Sequence, residues 1–336
     1  MNTLVVRARR GFTLVELLVV ITIVGMMMAM LFPAISVIKD RANNIRCQNN
    51  LSQLAKAAAV HETQKRRYPG YVEYNPVAAG NNMMSAYGWP VVMLPYVGRG
   101  DLWGHWRAGN RTEVPIDQYR CPGDTSAETL SISYVANCGY QDNRTSAVAS
   151  TARPPDWPAN GVFHSLYDPA FISGATNNCY LQVRMTTGDV KDGLQQTLMF
   201  SENIQAGLWC APLSGATSEV QLIAETTLGF IWRNDVNPTI SNANAGYRIN
   251  SNRDFMLSAT GLVSTSYTYA RPSSNHPGGV NAVFCDGHLK FLSESIDYVV
   301  YQLLMTPDGR NARTPRNATP NLNAAFYSWL LTEADY

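Results

Sequence analysis

The stretch that decides the fold reads Arg-Arg-Gly-Phe-Thr-Leu-Val-Glu-Leu over residues 9–17 and continues as LVVITIVGMMMAMLF over residues 18–32. Residues 12–32 are almost wholly apolar, and 21 residues in a helix that rises ~1.5 Å per residue are enough to cross ~30 Å of hydrocarbon. Arginines precede this run and none lies within it, so the positive-inside rule places the N-terminus in the cytoplasm. Everything after residue 33 is then expected to be exported.

Glu16 is the one acidic residue in the apolar run. A carboxylate at membrane depth costs about 2.5–3.5 kcal/mol on insertion scales, so it needs a partner. No basic residue lies within helical reach on the membrane side of Glu16, and we therefore expect a positive charge from another molecule. Cleavage after Gly11 would supply this charge, because the new amino group of Phe12 on a neighbouring copy would lie at a similar depth.

The string over residues 9–17 strongly resembles the processing site of type IV prepilins and type II secretion pseudopilins. The resemblance implies that a prepilin peptidase cleaves after Gly11 and methylates Phe12. It also implies that Glu16 matches the glutamate of that family, and that Pro33 lies where many pilins kink their helix. An ordinary signal peptide or membrane anchor with a stray glutamate is the alternative.

The composition is that of a folded protein and excludes several classes. The chain has 336 residues, of which 46% are hydrophobic and 15% charged, and its formal net charge is +1. This combination excludes long disorder and argues against nucleic acid as a partner. Loss of the three arginines before Gly11 takes the basic residues from 26 to 23 against 25 acidic ones, so assembly by bulk charge attraction is not supported.

No glycine or proline occurs from Ala34 to Lys65, so the helix is predicted to run on from residue 12 to residue 65. Its aqueous half carries two apolar stripes on nearly opposite faces, which consist of Ile35, Ile38, Ala42 and Ile45, and of Leu51, Leu54, Ala55 and Ala58. We interpret the first stripe as facing neighbouring helices in an assembly and the second as packing on the chain's own globular part. A helix bent near its asparagines, so that the stripes realign, is the alternative.

Six cysteines are spread along the chain without a C-x-x-C pair, which excludes zinc-knuckle and thioredoxin-type motifs. Cys47 shares the face of the second stripe, so we expect it to be buried against the domain or disulfide-bonded to it. Six cysteines allow fifteen pairings, and the sequence does not choose among them.

Residues 66–336 are predicted to form an extracytoplasmic α+β domain, which follows a leader at residues 1–11 and a transmembrane and assembly helix at residues 12–65. Strands are predicted at residues 131–136, 197–201 and 229–232 and on both sides of Asp286-Gly287, an amphipathic helix at residues 295–305, and a helical or irregular piece at residues 89–96. The fold class is therefore α+β and pilin-like, with a long N-terminal helix packed on a C-terminal antiparallel β-sheet domain with inserted loops.

Further strings extend the resemblance over nearly the whole chain. They are Cys-Gln-Asn-Asn-Leu at 47–51, Tyr-Arg-Cys-Pro-Gly-Asp at 119–124, Ser-Tyr-Val-Ala-Asn at 133–137, Asp-Gly at 192–193 before Thr-Leu-Met-Phe at 197–200, and His276 followed after nine residues by Asp286-Gly287. Together they are similar to a large bacterial family of prepilin-like proteins, whose C-terminal region bears an H-x9-DG motif and has no established biochemical function.

His276 and Asp286 invite a metal or catalytic interpretation, but the strand between them argues against it. Residues 280–285 alternate as an outgoing strand, which alone separates the hairpin tip from residues 277–279 by about 20 Å. We interpret Asp286-Gly287 as the turn of a hairpin at residues 276–292, and His276 as capping or hydrogen-bonding the loop before the strand. A metal or catalytic role is the alternative.

Calcium is the best cofactor candidate, because exported, oxygen-rich loops suit a hard cation. The candidate ligands are Asp189, Asp192, Glu202 and Asp286, but no stretch has EF-hand spacing, and solvated turns are the default explanation. The chain has no nucleophile elbow, no zinc-protease motif, no phosphate-binding loop and no dinucleotide fingerprint, so no enzymatic activity is predicted.

Two hypotheses of function follow. In the first, the protein is a structural pilin or pseudopilin subunit in a type IV pilus or a type II secretion-like filament. It crosses the bacterial inner membrane once, with a cytoplasmic N-terminus and a periplasmic or cell-surface domain, and its partners are prepilin peptidase and the N-terminal helices of other pilin-like subunits. In the second, the same anchor displays a ligand-binding domain that does not polymerise. Separately, an aromatic cluster of Trp89, Tyr96, Trp103 and Trp106 could bind carbohydrate or a partner, or could be packing in and around the core.

Overall fold

The structure is a computed structural model of the 336-residue chain. It describes residues 12–74, 86–124, 129–140, 157–167, 183–211, 213, 224, 226–232, 248–251 and 270–312, with Pro33 and Ala34 described by their backbone alone. The chain falls into two compact units, residues 1–43 and residues 44–336. The predicted leader, with Gly11, lies outside the described residues.

Helix α1 (Leu14–Lys65) contains 52 residues, as the absence of helix breakers after residue 33 predicts. In the first unit its large apolar side chains are exposed. Leu14 near the start of the helix is 78% exposed, for example, and Ile38 is 65% exposed. Over the described part of the chain, α1 is the one helix that is long and apolar enough to cross a membrane.

In the second unit, α1 buries one face in the core. Leu51, Leu54, Ala55 and Ala58 are at most 3% exposed, whereas Ile45 on the other face is 59% exposed. Cys47 is fully buried on the same face as the leucines. The two stripes therefore have different environments, and the second stripe packs on the chain's own domain as predicted.

The domain that follows α1 contains eight strands and three further α-helices whose bounds lie within the described ranges, together with helical residues at 224 and 226–228. The strands are β1 (Val72–Tyr74), β2 (Ala86–Gly88), β3 (Tyr134–Tyr140), β4 (Ser165–Leu166), β5 (Leu198–Glu202), β6 (Gly229–Trp232), β7 (Gly279–Phe284) and β8 (Leu289–Ser293). The helices are α2 (Trp89–Val92), α3 (Gly100–Arg107) and α4 (Tyr298–Met305), with 3₁₀ turns at Asp117–Tyr119 and Thr187–Asp189.

The strands form two sheets, and the α+β fold class is confirmed. One sheet has the order β2-β1-β4 and the other the order β6-β3-β5-β7-β8. The pairs β1–β4 and β3–β6 are parallel and the remaining pairs antiparallel, so the sheets are mixed rather than purely antiparallel as expected. Parallel neighbours need long crossover connections, and the inserts between β1 and β4 and between β3 and β6 supply them.

Most elements lie close to their predicted positions, and β3 differs for a local reason. It begins at residue 134 rather than 131, because Ser131 forms an isolated bridge with Leu208 instead of joining the sheet. It also continues to Tyr140 through an irregularity between Asn137 and Gly139, where Gly139 has a φ of +78°. A left-handed residue at a bulge is a position that favours glycine.

His164 makes the stability of the domain pH-dependent. The imidazole is 3% exposed, and its Nε2 lies 2.8 Å from the carbonyl oxygen of Gly161. Burial lowers the pKa of His164 from 6.5 to about 4, because the charged form loses its hydration. Between these two pH values the unfolded chain binds a proton at this position and the folded chain does not, so stability falls as pH falls from 6.5 to 4.

We therefore expect His164→Gln to flatten the pH dependence of unfolding. The wild-type protein should lose about 3 kcal/mol more than the variant between pH 6.5 and pH 4, which denaturant titrations at several pH values measure. His105→Gln, at an exposed position of α3, is the control and should keep the wild-type profile. Identical profiles for His164→Gln and the wild type would contradict this assignment.

Candidate functional site

The N-terminus of α1 is closed by a capping box between Thr13 and Glu16. The Oε2 atom of Glu16 accepts hydrogen bonds from the backbone N–H of Thr13 at 2.9 Å and from its hydroxyl at 2.8 Å. In return, the N–H of Glu16 donates to the Oγ1 of Thr13 at 3.3 Å. The spacing Thr-x-x-Glu ahead of an apolar run is the signature of this motif, and our sequence analysis missed it. Glu16 therefore has a hydrogen-bond partner on its own chain, and its contact with a positive charge of another molecule stays a prediction.

The hairpin at residues 276–292 places Asp286 and Gly287 at its tip. Residues 285–288 join β7 to β8, and a hydrogen bond from the N–H of Phe284 to the carbonyl oxygen of His288 leaves three residues, 285–287, at the tip rather than the two that we expected. Gly287 has a φ of +89° and donates its N–H to the carbonyl oxygen of Phe284 at 2.9 Å. Asp286 lies against His288, with Oδ1 at 2.6 Å from Nδ1 of that ring. The tip is thus a turn with its own hydrogen bonds.

His276 lies at the other end of the hairpin and faces different side chains. Its Nε2 is 3.3 Å from Oε1 of Glu202 and 3.5 Å from Sγ of Cys121. Its backbone N–H donates to the hydroxyl of Ser274 at 3.1 Å. The structure therefore brings His276 to a carboxylate and a sulfur rather than to Asp286.

Cys121 is bonded to Cys47 in a disulfide with a Cα–Cα distance of 5.0 Å. The bond joins α1 to the segment after the 3₁₀ turn at Asp117–Tyr119, 74 residues further along the chain. Cys210 and Cys285 are buried free thiols, Cys138 is also buried, and Cys179 lies outside the described residues. Of the two fates expected for Cys47, the structure thus shows both burial and a disulfide.

Glu202 ends β5 and is 1% exposed. Its carboxylate accepts two hydrogen bonds from Asn281 on β7, one from the backbone N–H at 2.8 Å and one from Nδ2 at 3.0 Å. The amide of Asn281 continues to α1, where its Oδ1 accepts from Nε2 of Gln48 at 3.0 Å and its Nδ2 donates to Oδ1 of Asn44 at 2.8 Å. This network connects the five-stranded sheet to the helix in the second unit.

Tyr134, at the start of β3, is fully buried. Burial and the negative charge of Glu202 raise the pKa of its hydroxyl, so the group stays protonated. Nδ2 of Asn50 on α1 donates to this hydroxyl at 3.3 Å and to the carbonyl oxygen of Arg120 at 2.9 Å. Asn50 of α1 thus contacts both β3 and the segment that carries Cys121.

The four calcium candidates have separate partners. Asp189 closes a turn with Thr186, Asp192 accepts from the N–H of Gly309 at 2.6 Å, Glu202 bonds to Asn281, and Asp286 to His288. Within the described ranges, the one group of side chains close enough to share a metal ion contains Glu202 together with Cys47, Cys121 and His276. Their ligand atoms all lie within 4.8 Å of one another. Sequence spacing gives no sign of this group, because its members come from four distant segments.

The aromatic cluster is largely packing. Trp89 is fully buried and Trp106 is 1% exposed, and their rings pack against Phe200 and Trp209. Only Tyr96 and Trp103 are half-buried at the edge of the core. These contacts favour the structural interpretation of the cluster over a ligand-binding surface.

Two family models match the chain. One is described as a protein of unknown function (DUF1559) and matches residues 39–298, and the other is described as a prokaryotic N-terminal methylation motif and matches residues 6–32. No curated protein and no solved structure matches the chain.

The network around Glu202 predicts that Asn281 is important for stability. Asn281→Ala should lower the free energy of unfolding by about 2–3 kcal/mol, because the buried carboxylate of Glu202 loses the hydrogen bond from Nδ2 and the α1 amides lose their partner. Ser293→Ala, at an exposed position of the adjacent strand β8, should change it by less than ~0.5 kcal/mol. Denaturant unfolding of the two variants measures the difference, and equal losses would contradict the role of Asn281.

Proposed function

The chain belongs to the family described as protein of unknown function (DUF1559) and is prepilin-like, and from that premise we propose that it is a structural pilin-like or pseudopilin subunit. The observation that carries the proposal is the methylation motif over residues 6–32, which immediately precedes and includes the apolar part of α1. We propose a structural role rather than an enzymatic one, and a domain that works without calcium.

The proposed maturation follows from the residues at the motif. Prepilin peptidase cleaves after Gly11 and methylates the new N-terminal residue, Phe12. The processed chain then begins two residues before α1, so its amino group lies beside the capping box of Thr13 and Glu16. This places a positive charge and a carboxylate on one short, apolar segment.

The proposed topology is single-pass in the bacterial inner membrane, with the N-terminus in the cytoplasm and the domain in the periplasm or at the cell surface. Arginines at positions 7, 9 and 10 precede the apolar run, which supports this orientation. The disulfide between Cys47 and Cys121 supports it independently, because disulfides persist mainly in oxidising compartments.

The proposed assembly uses the N-terminal helices of several subunits in a type IV pilus or a type II secretion-like filament. The apolar side chains of α1 in the first unit are exposed, and exposed apolar surface of this extent is normally covered by lipid or by other helices. The capping box uses Oε2 of Glu16, and a carboxylate has a second oxygen that can accept further bonds. We propose that the Phe12 amino group of a neighbouring subunit binds there.

Mass spectrometry of the N-terminus tests the maturation. In cells that contain a prepilin peptidase, we expect the protein to begin at an N-methylated Phe12, and Gly11→Val to keep the full leader. Gly25→Ala is the matched control, because an added Cβ at Gly25 meets open space within α1. A wild-type protein that retains Met1 would contradict the proposal.

Substitutions at the capping box test the assembly and separate two roles of Glu16. Glu16→Gln keeps a residue that can close the capping box but removes the negative charge. We therefore expect this variant to insert into the membrane like the wild type but to form neither filaments nor crosslinked multimers. Thr13→Val removes the cap and keeps the charge, so assembly should persist. Crosslinking of membranes followed by sedimentation of sheared filaments measures both.

The outcome distinguishes the proposal from the alternative. If Glu16→Gln assembles as well as the wild type, the carboxylate serves the helix end alone. If the wild type itself stays a single copy after correct processing, the alternative of a surface-anchored ligand-binding domain that does not polymerise is supported.

A further inference from the structure

A cluster of four ligand-type side chains lies inside the second unit, away from the segment used in the proposed function. Cys47 lies on α1, Cys121 follows the 3₁₀ turn at Asp117–Tyr119, Glu202 ends β5, and His276 precedes β7. All four residues are at most 5% exposed, and one ligand atom of each lies within 4.8 Å of every other.

We propose that these four side chains form a tetrahedral zinc site when Cys47 and Cys121 are in the dithiol form, and that the disulfide is the oxidised state of the same site. The site goes beyond the proposed function and does not depend on it.

The distances around His276 match the edges of a zinc tetrahedron. With Zn–N, Zn–S and Zn–O bonds of about 2.0–2.3 Å, tetrahedral geometry separates a nitrogen from a sulfur ligand by about 3.5 Å and from an oxygen ligand by about 3.3 Å. The observed separations of Nε2 are 3.5 Å from Sγ of Cys121 and 3.3 Å from Oε1 of Glu202. Two edges of the tetrahedron, both from Nε2 of His276, therefore already have the length that the ion requires.

The chemistry of the ligand set selects the ion. Two thiolates, one imidazole and one carboxylate suit a borderline ion with four ligands, and Zn²⁺ accepts all three ligand types. Calcium requires six to eight oxygen ligands, so this set does not fit it. Glu202, which the sequence places among the calcium candidates, is thus assigned to a different metal.

Hydrogen bonds hold the carboxylate of Glu202 in place from the side of β7. Asn281 donates to both of its oxygens, at 2.8 Å and 3.0 Å, and is itself fixed by Gln48 and Asn44 of α1. Such partners orient metal ligands and raise the affinity of metal sites. The protein therefore provides both the ligands and their support.

The exchange between the two states is chemically balanced. A phosphine and one water reduce the disulfide to two thiols, and the phosphine becomes its oxide. Zinc then displaces the two thiol protons to solvent and binds both thiolates. The sulfurs move apart from bonding distance to about 3.8 Å, the sulfur–sulfur edge of a tetrahedron with Zn–S bonds of about 2.3 Å. In both states Cys47 remains joined to Cys121, so α1 stays attached to the domain at the same point.

Metal loading of the full chain in detergent tests the site. After anaerobic reduction with a phosphine, we expect one Zn²⁺ per chain, whereas the oxidised chain binds none. Co²⁺ in place of zinc should give a thiolate-to-metal charge-transfer band and the strong visible bands of tetrahedral coordination. Zinc should also raise the melting temperature of the reduced wild type and not that of the oxidised wild type. This comparison uses the wild-type chain alone and does not depend on whether a variant folds.

Variants then identify the ligands. Cys121→Ser and His276→Ala should abolish stoichiometric binding, and Asn281→Ala should weaken it by about 10- to 100-fold. Cys210→Ser removes a buried free thiol elsewhere and should bind like the wild type. The proposal is overturned if the reduced, folded wild type binds no metal, or if binding and the charge-transfer band survive in Cys121→Ser and His276→Ala.

Discussion

The buried carboxylate of Glu202 is the constraint on which the arrangement of the domain depends. A carboxyl group that is 1% exposed is tolerated only when its oxygens are hydrogen-bonded or paired. Asn281 on the neighbouring strand supplies two hydrogen bonds, and His276 lies 3.3 Å away. These partners fix the register of β7 against β5 and place the residues before β7 beside the disulfide. A polar group in the core thus determines which segments meet there.

The hydrogen-bond network of Glu202 and Asn281 also explains why α1 packs on the domain in one position. Apolar burial of Leu51, Leu54 and Ala58 provides the attraction, but small aliphatic contacts tolerate displacement along the helix. The bonds from Gln48 and Asn44 to Asn281 have no such tolerance, since a shift of one residue would leave buried amides without partners. The disulfide from Cys47 adds a covalent restraint at the same level of the helix.

The sequence predicts those features that depend on residues close together in the chain, and it does not predict contacts between distant residues. Helix α1, the face that carries Cys47 and strand β6 depend on spacing within a few turns or residues, and each is confirmed. The capping box of Thr13 and Glu16 is equally local, and the spacing Thr-x-x-Glu ahead of an apolar run was sufficient to predict it. The partner of Cys47 and the meeting of Glu202 with His276 depend on residues 70 or more positions apart, which no local pattern encodes. The parallel pairing of β4 with β1 and of β6 with β3 escaped prediction for the same reason, although β6 itself was predicted.

The length of strand β7 explains the spacing between His276 and Asp286-Gly287. The strand has six residues, and its length separates a turn at one end from the imidazole at the other. Side chains alternate along a strand, so Asn281 reaches Glu202 and α1 only when the number of residues before the turn is correct. Inserting one residue would turn Asn281 to the opposite face and move His276 away from Glu202. The spacing of the motif therefore corresponds to the length of β7, the strand that positions His276 and Asn281 beside Glu202. His276 and Asp286 themselves have different contacts.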